Sequence, residues 1–600
     1  MSENRYCKDY LDPNAPGYIV SYKGDFMNQM DKIDYACGNV ITNTLAVVSV
    51  REDDIERLKR DVPSIIFVEP KTMYVLQDVP PSKVDSIGQI KSNPYLNFNG
   101  KGVLVGLIDT GIDYLNQEFT REDGTTRIIN IWDQTIIKDT NDSMDNIYIG
   151  RIYSEEDINK ALQAYKKGED PYKIVPSKDE VYHGTKMASI IGARGYNKDI
   201  EGVATDCDFA AVKLLPSPNY KMILQENGIV GVEAYNNSEV VVAIEYLRNL
   251  SEKLKRPIVI YLGVGSNQGS HDGYNITSRY ITSVADKRGL VFVAGTGNFG
   301  DAELHVTNFL PGVGAIDEVE MFIPREIKNF EFYIWVQRPN RMSLSIGSPA
   351  GEITDFFQVR VQSIEERNFY ITDTKLKVTC YDPENYTGHQ LFKIDFTGIK
   401  KGVWKLRLKG DIIINGRYDI WLLPKQLLPE GTRFLKSNPN NTLTIPSTAR
   451  RVVTVAYYNS ITNSLVAASG KGFNTNGLIN PDIATAGVDI LTVSKERDKI
   501  DKISGSSAAT AIAAGCSAIL LQWGIVEGND TTMYSTKMRS IFIYAAIREK
   551  IYSYPNEDIG YGKLDLLNVF KILGGNYRMK FEQPLECYIN NLPIYISLKE

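Results

Sequence analysis

Apolar positions follow three different rhythms along this chain, and each rhythm holds its own stretch. Between 101 and 314, short continuous apolar runs alternate with helical stretches. Gly102-Val103-Leu104-Val105-Gly106-Leu107-Ile108 is such a run, and a strand buried on both faces reads this way. Residues 210–215, 257–263 and 290–294 are similar, with helical periodicity between them at 240–250 and 278–288. This alternation predicts an α/β fold built on a doubly wound parallel sheet. The same rhythm resumes at Ile445 and runs to Phe570.

The other two rhythms flank and interrupt it. Residues 17–77 hold strand-like segments at 17–22, 45–50, 65–70 and 73–76, with a charged helix at 52–60. They predict a small α+β unit, followed by a linker at Val79-Pro80-Pro81-Ser82. Residues 316–436 show only short strands between turn signals, which predicts an inserted β-sandwich, jelly-roll-like in character. The expected division is therefore 1–77, 78–315, 316–436, 437–576 and a tail at 577–600. A polar excursion between Asp113 and Tyr182 carries an expected exposed helix at 155–167. It is too long for a simple loop and reads as a substrate-facing elaboration.

Composition removes some classes. Apolar content of 43%, charged content of 23% and a net charge of −6 suit a soluble globular protein and argue against nucleic acid or a membrane surface as partner. No run of eighteen uninterrupted apolar residues predicts a membrane span, and the polar N-terminus predicts no secretory signal. The six cysteines are scattered and read as isolated thiols. With four histidines and no ligand spacing, neither a metal nor a cofactor is expected.

Chemistry gathers at four motifs. Leu107-Ile108-Asp109-Thr110-Gly111 puts an acid at the end of a buried strand. His183-Gly184-Thr185 opens an apolar helix. Gly505-Ser506-Ser507-Ala508-Ala509 opens a second, where unsatisfied N–H groups and the helix dipole favour a nucleophile. Ala294-Gly295-Thr296-Gly297-Asn298 follows a strand, and an Asn there can donate to a developing oxyanion. Singly, each has an ordinary structural explanation: an N-cap serine, a helix-start histidine, a turn asparagine, a phosphate- or metal-handling strand end. Together, in the chain order Asp109, His183, Ser507, they match the order of a known family's catalytic triad, with Asn298 as the expected oxyanion donor.

These motifs resemble the subtilisin-like serine proteases, the subtilases of peptidase family S8. The resemblance spans the chain apart from the β insertion and the tail. It implies a subtilisin-like sheet and a propeptide at 1–77 that chaperones and inhibits the enzyme. It also implies substrate-binding positions at Leu262 and Gly263, beside Tyr261, and at Gly295 on the wall of the first specificity pocket. Tyr182 stands where that family commonly has Gly, and Lys186 where it commonly has a second His.

A narrower resemblance is to the Csp germination proteases of clostridial spores. It rests on the residues from Pro171 to Glu180, those from Gly265 to Gly273, the β insertion, and Ile559-Gly560-Tyr561-Gly562. It implies a serine endopeptidase that cuts the zymogen of a spore cortex-lytic enzyme, and a location in the spore or the cytoplasm. A subtilase unrelated to spores, or a catalytically poor scaffold or sensor of the same fold, are the alternative readings. In the subtilase arrangement the end of the propeptide lies in the active-site cleft. Pro80 and Pro81 disfavour cleavage at their own bonds, so the expected self-cleavage is at Gln77–Asp78.

Overall fold

The computed structural model describes residues 10–574, apart from positions 11, 71, 77–84, 88, 90–95, 97, 138–146, 358–361 and 497–498, together with the short segments 587–589 and 592–594. Its centre is a sheet whose parallel strands run in the order Val453–Asn459, Leu290–Gly295, Ile258–Leu262, Leu104–Asp109, Asp208–Lys213, Ile128–Asp133. Side chains alternate between the two faces, as the period of a strand requires. On Leu104–Asp109, Val105 and Leu107 join the core beneath helices His183–Gly192 and Ser506–Leu521. Leu104 and Ile108 join the core beneath Asn237–Leu254 and Ile276–Val284. Both faces are thus covered, which is why the strands read as continuous apolar runs.

Ser506–Leu521 is buried on every side, and a helix apolar all round belongs inside a core. With its continuation to Val526 it is long and apolar enough to cross a membrane, but 83% of its most apolar stretch is packed inside the protein.

The excursion after Asp113 does more than elaborate the surface. Ile128–Asp133 adds a parallel strand to the main sheet, and Arg151–Ser154 caps that edge in antiparallel register. The helix Glu155–Lys166 is amphipathic, not simply exposed. Ile158, Ala161, Leu162 and Ala164 are buried because the spacing gathers them on one face.

The N-terminal unit is a four-stranded antiparallel sheet in the order Cys37–Val40, Leu45–Ser49, Gly17–Tyr22, Ile65–Val68. One face packs on its own short helices through Tyr18, Val20 and Val48. The other offers Ile19 and Val47 to the core around Asn237–Leu254. Cys37 is disulfide-bonded, contrary to the isolated thiol expected, while Cys207 and Cys380 are free thiols. Spacing along a chain carries no information on such a partner.

Met73–Leu76 does not join the small sheet. It lies between Tyr235–Asn236 and Val264–Gly265, antiparallel to both. Gln77 and Asp78 lie outside the described residues, as does most of the expected tail.

The insertion is a two-sheet sandwich. Six strands run in the order His305–Phe309, Arg417–Trp421, Ile327–Val336, Gln390–Ile399, Thr374–Tyr381, Ser363–Phe369, and four in the order Arg341–Gly347, Gly402–Ile412, Ile316–Ile323, Arg433–Phe434. It begins at His305, earlier than its rhythm suggests. That first strand has only two buried residues at its start and no clear alternation.

The sandwich meets the catalytic unit through an aromatic sandwich of its own. Trp421 stacks between His271 (4.1 Å) and His305 (4.7 Å). Burial holds His271 down to about 4, so it is neutral at physiological pH. His389 of the insertion has an acid beside it that its local sequence does not reveal, Asp272 of the catalytic unit at 3.2 Å.

Trp421→Ala should destabilise the protein by about 3–5 kcal/mol. Denaturant unfolding monitored by far-UV circular dichroism measures this, and a loss below about 1 kcal/mol would mean the stack is not a structural joint.

Candidate active site

The site is assembled where three buried elements end side by side. Asp109 is the last residue of its strand and fully buried. Its Oδ1 accepts from the Thr110 N–H at 2.7 Å and lies 2.7 Å from His183 Nδ1, with Oδ2 at 2.9 Å. Burial pushes the Asp109 carboxyl above its ordinary value, and the imidazole and the Thr110 N–H pull against that. A carboxylate in this position can fix the tautomer of an imidazole and favour its protonated form.

The start of the helix His183–Gly192 is fastened to the strand end. Thr110 Oγ1 accepts from the Gly184 N–H at 2.9 Å. A Cβ on Gly184 would come within 2.2 Å of the Gly111 carbonyl oxygen, so only glycine permits the approach. Tyr182, the residue before His183, has φ of +70°. That left-handed conformation strains any residue with a Cβ. It is held by bonds at both ends of the residue: its N–H donates to Asp179 Oδ1 at 2.7 Å and its hydroxyl to Asp113 Oδ2 at 3.2 Å.

Asp179 escaped the sequence reading. Its second oxygen accepts from both the N–H and the hydroxyl of Thr185. It thereby satisfies the helix start in place of a capping side chain at Tyr182. The signal was its position three residues before Tyr182 and six before Thr185.

Ser507 sits in the first turn of its helix and is buried. Gly505 precedes it with φ of +125°, a conformation reserved for glycine. Ser506 is pinned from two sides. Its N–H donates to Asn298 Oδ1 at 3.1 Å, and its hydroxyl accepts from the Gly297 N–H at 2.9 Å. The Ser507 carbonyl accepts from the Tyr261 hydroxyl at 3.5 Å, and the helices that carry His183 and Ser507 pack directly on each other. Asn298 is thus oriented by its oxygen, while its buried Nδ2 finds no acceptor among the described residues. A buried amide donor without a partner is costly, and it suits a group whose acceptor arrives with a substrate.

The substrate-side residues divide. Leu262 ends a core strand and is packed in the apolar core. Gly263 donates its N–H to the Ile108 carbonyl at 3.2 Å, and a Cβ there would lie 2.0 Å from Asp109 Oδ2. Gly263 therefore guards the seat of Asp109. The strand that actually pairs with Val75 and Leu76 is Val264–Gly265, one step further along. Gly295 lies buried at the end of its sheet strand, and its carbonyl accepts from Thr444 Oγ1 at 3.2 Å. Among the described residues, no group of His, Cys, Asp and Glu could hold a metal ion.

A family model described as the subtilase family, Peptidase_S8, matches residues 100–356 and 426–562. The chain belongs to the subtilase family. It is a subtilisin-like serine peptidase in which the β-sandwich interrupts the catalytic domain. Among solved structures it is similar to the CspB protease of Clostridium perfringens, at 29% identity and a TM-score of 0.72, covering 83% of this chain and 98% of that one. It is similar at lower level to fervidolysin from Fervidobacterium pennivorans, a keratinolytic enzyme related to subtilisin. There the identity is 12% and the TM-score 0.46, covering 95% of this chain and 62% of that one. A comparison with functionally curated proteins found no match. Its central sheet and inserted antiparallel sheets make it a subtilase whose structure is similar to that of the CspB protease.

Gly263→Ala should cost about 10²-fold or more in turnover, because the added methyl drives the Asp109 carboxylate from His183 and small misplacements carry penalties of that size. Peptide hydrolysis measured on protein with native circular dichroism gives the answer. Activity within about three-fold of the parent would show that the seat of Asp109 tolerates the methyl group.

Proposed function

We propose that this subtilase is a serine endopeptidase in which Ser507 is the nucleophile, His183 its general base and Asp109 the orienting acid. The observation that carries the reading is the fully buried Asp109–His183 pair at the strand end. Ser507 Oγ attacks the scissile carbonyl while His183 Nε2 takes its proton. The oxyanion meets Asn298 Nδ2 and the Ser507 N–H. Collapse of the tetrahedral intermediate breaks the peptide bond, and His183 returns the proton to the leaving amine. Water then hydrolyses the acyl-enzyme by the same route in reverse.

The first substrate is the chain's own N-terminal segment. Met73–Leu76 already lies as an extended strand between Tyr235–Asn236 and Val264–Gly265, and these two short strands form the walls of a groove that a substrate would enter. Main-chain pairing gives such a strand affinity, and the tether gives it a high effective concentration. The bond expected to be cut is Gln77–Asp78, just beyond this strand. The strand pairing on both sides holds the cut segment as an inhibitor until it is displaced. The likeness to the CspB protease supports a role in spore germination, with limited proteolysis of a cortex-lytic zymogen as the physiological reaction.

Purified wild type should migrate as two co-purifying fragments and Ser507→Ala as one chain, with N-terminal sequencing placing the cut at Gln77–Asp78. An uncut wild type, or a cut that persists in Ser507→Ala, would overturn self-processing. Asn298→Ala should lower kcat by about 10²–10³ with little change in KM. A pure KM effect would instead make Asn298 a ground-state binding group.

A further inference from the structure

The groove does not end at Gly265. Val264 and Gly265 pair with Leu76 and Val75, but the next residue, Ser266, has turned away to pair with Ile445. Among the described residues, that main-chain pairing does not continue to the part of the extended segment further upstream. A side chain takes over. Gln268 Oε1 accepts from the Met73 N–H at 2.7 Å, and Gln268 Nε2 donates to Glu331 Oε1 at 2.9 Å. Glu331 lies on the sandwich strand Ile327–Val336.

The chemistry fixes the orientation. An ionised carboxylate can only accept, so Glu331 draws the amide nitrogen of Gln268 to itself and turns the amide oxygen to the segment. Gln268 is buried, and its own N–H is tied to Ser266 Oγ at 3.1 Å. Glu331 is held in turn near Lys393 at 3.7 Å. The Met73 side chain, 1% exposed, is part of the apolar cluster that unites Tyr220 and Leu224 of the catalytic unit with Phe330 and Phe332 of the sandwich.

From this geometry we infer that the sandwich completes a distal substrate subsite: Gln268 clamps the backbone N–H of the residue three positions upstream of the one paired with Val264, Glu331 positions Gln268, and the adjoining apolar cluster selects a large apolar side chain there. The subsite rests on the reading of Met73–Leu76 as a strand bound in the manner of substrate. A peptide or protein substrate that displaces it would thread the same path. Sandwich and catalytic unit thus share the work of selection, and Gln268 is a specificity-determining residue of the peptidase.

The test uses the full-length protein and three peptide phosphonates that label the active-site serine. The long reagent carries Met-Tyr-Val-Leu before a Gln warhead, the short one Val-Leu, and the third is the long reagent N-methylated at Met. In wild type the long reagent should label Ser507 about ten-fold faster than the short one, a factor worth about 1.4 kcal/mol. N-methylation should abolish the advantage without any change to the protein. Gln268→Glu sets two carboxylates against each other and should also abolish it. The double variant Gln268→Glu with Glu331→Gln restores a donor–acceptor pair and should recover it. Taken relative to a small fluorophosphonate on the same protein, the short reagent should label all three proteins alike, which a merely structural defect would not allow. Equal labelling by all three reagents in wild type overturns the subsite while leaving the peptidase reading intact. Failure of every reagent, and of a small fluorophosphonate, to label wild-type Ser507 in protein whose N-terminal segment also remains uncut overturns the peptidase reading and the subsite with it.

Discussion

A carboxylate with no solvent exposure needs a partner, and Asp109 has one in His183. Leaving a buried charge unpaired costs several kcal/mol, so the pair dictates how closely its two elements must approach. The glycines follow from that demand. Gly184 lets the helix start touch the loop after Asp109, and Gly263 keeps the neighbouring strand from the carboxylate. Thr110 and Asp179 then tie the helix start down. Even the strained backbone of Tyr182 belongs to this account, since the residue before His183 must turn sharply for the imidazole to reach back to the strand.

The second organising contact is the extended segment in the groove. It is held by main-chain pairing on both sides, by one glutamine side chain, and by a methionine in an apolar core. The N-terminal sheet docks separately on the Asn237–Leu254 helix through Ile19 and Val47. Lys393 of the sandwich reaches Glu52 of the N-terminal unit at 3.2 Å. Three parts of the chain thus meet around one short strand.

Much of this was legible in the sequence, and the boundary is physical. The parallel strands announced themselves because burial on both faces leaves continuous apolar runs. Asp109, His183, Asn298 and Ser507 could be picked out because each sits in a local motif at the end of an element. Helix 155–166 was placed correctly but its buried face was overlooked, because four small or aliphatic residues among charges make a weak stripe. The pairing strands Tyr235–Asn236 and Val264–Gly265 are too short to have a period. The Asp272–His389 pair and the Gln268–Glu331 contact join residues far apart in sequence. Nothing in their neighbourhoods marks them.

The placement of the sandwich bears on how the chain reaches this state. Leu290–Gly295 and Val453–Asn459 are adjacent strands of the central sheet, yet the whole insertion lies between them. As an open loop it would carry the closure entropy of a long chain and the slow folding that goes with distant contacts. It is not open at its base. The Phe434 N–H donates to the Glu303 carbonyl at 3.0 Å and the Asn438 N–H to the His305 carbonyl at 2.8 Å. The sandwich therefore returns its exit to its entrance. Once it has folded, the sheet sees a short connection where the sequence has a long one, and the serine's half of the enzyme is delivered already close to the half that holds the acid and the base.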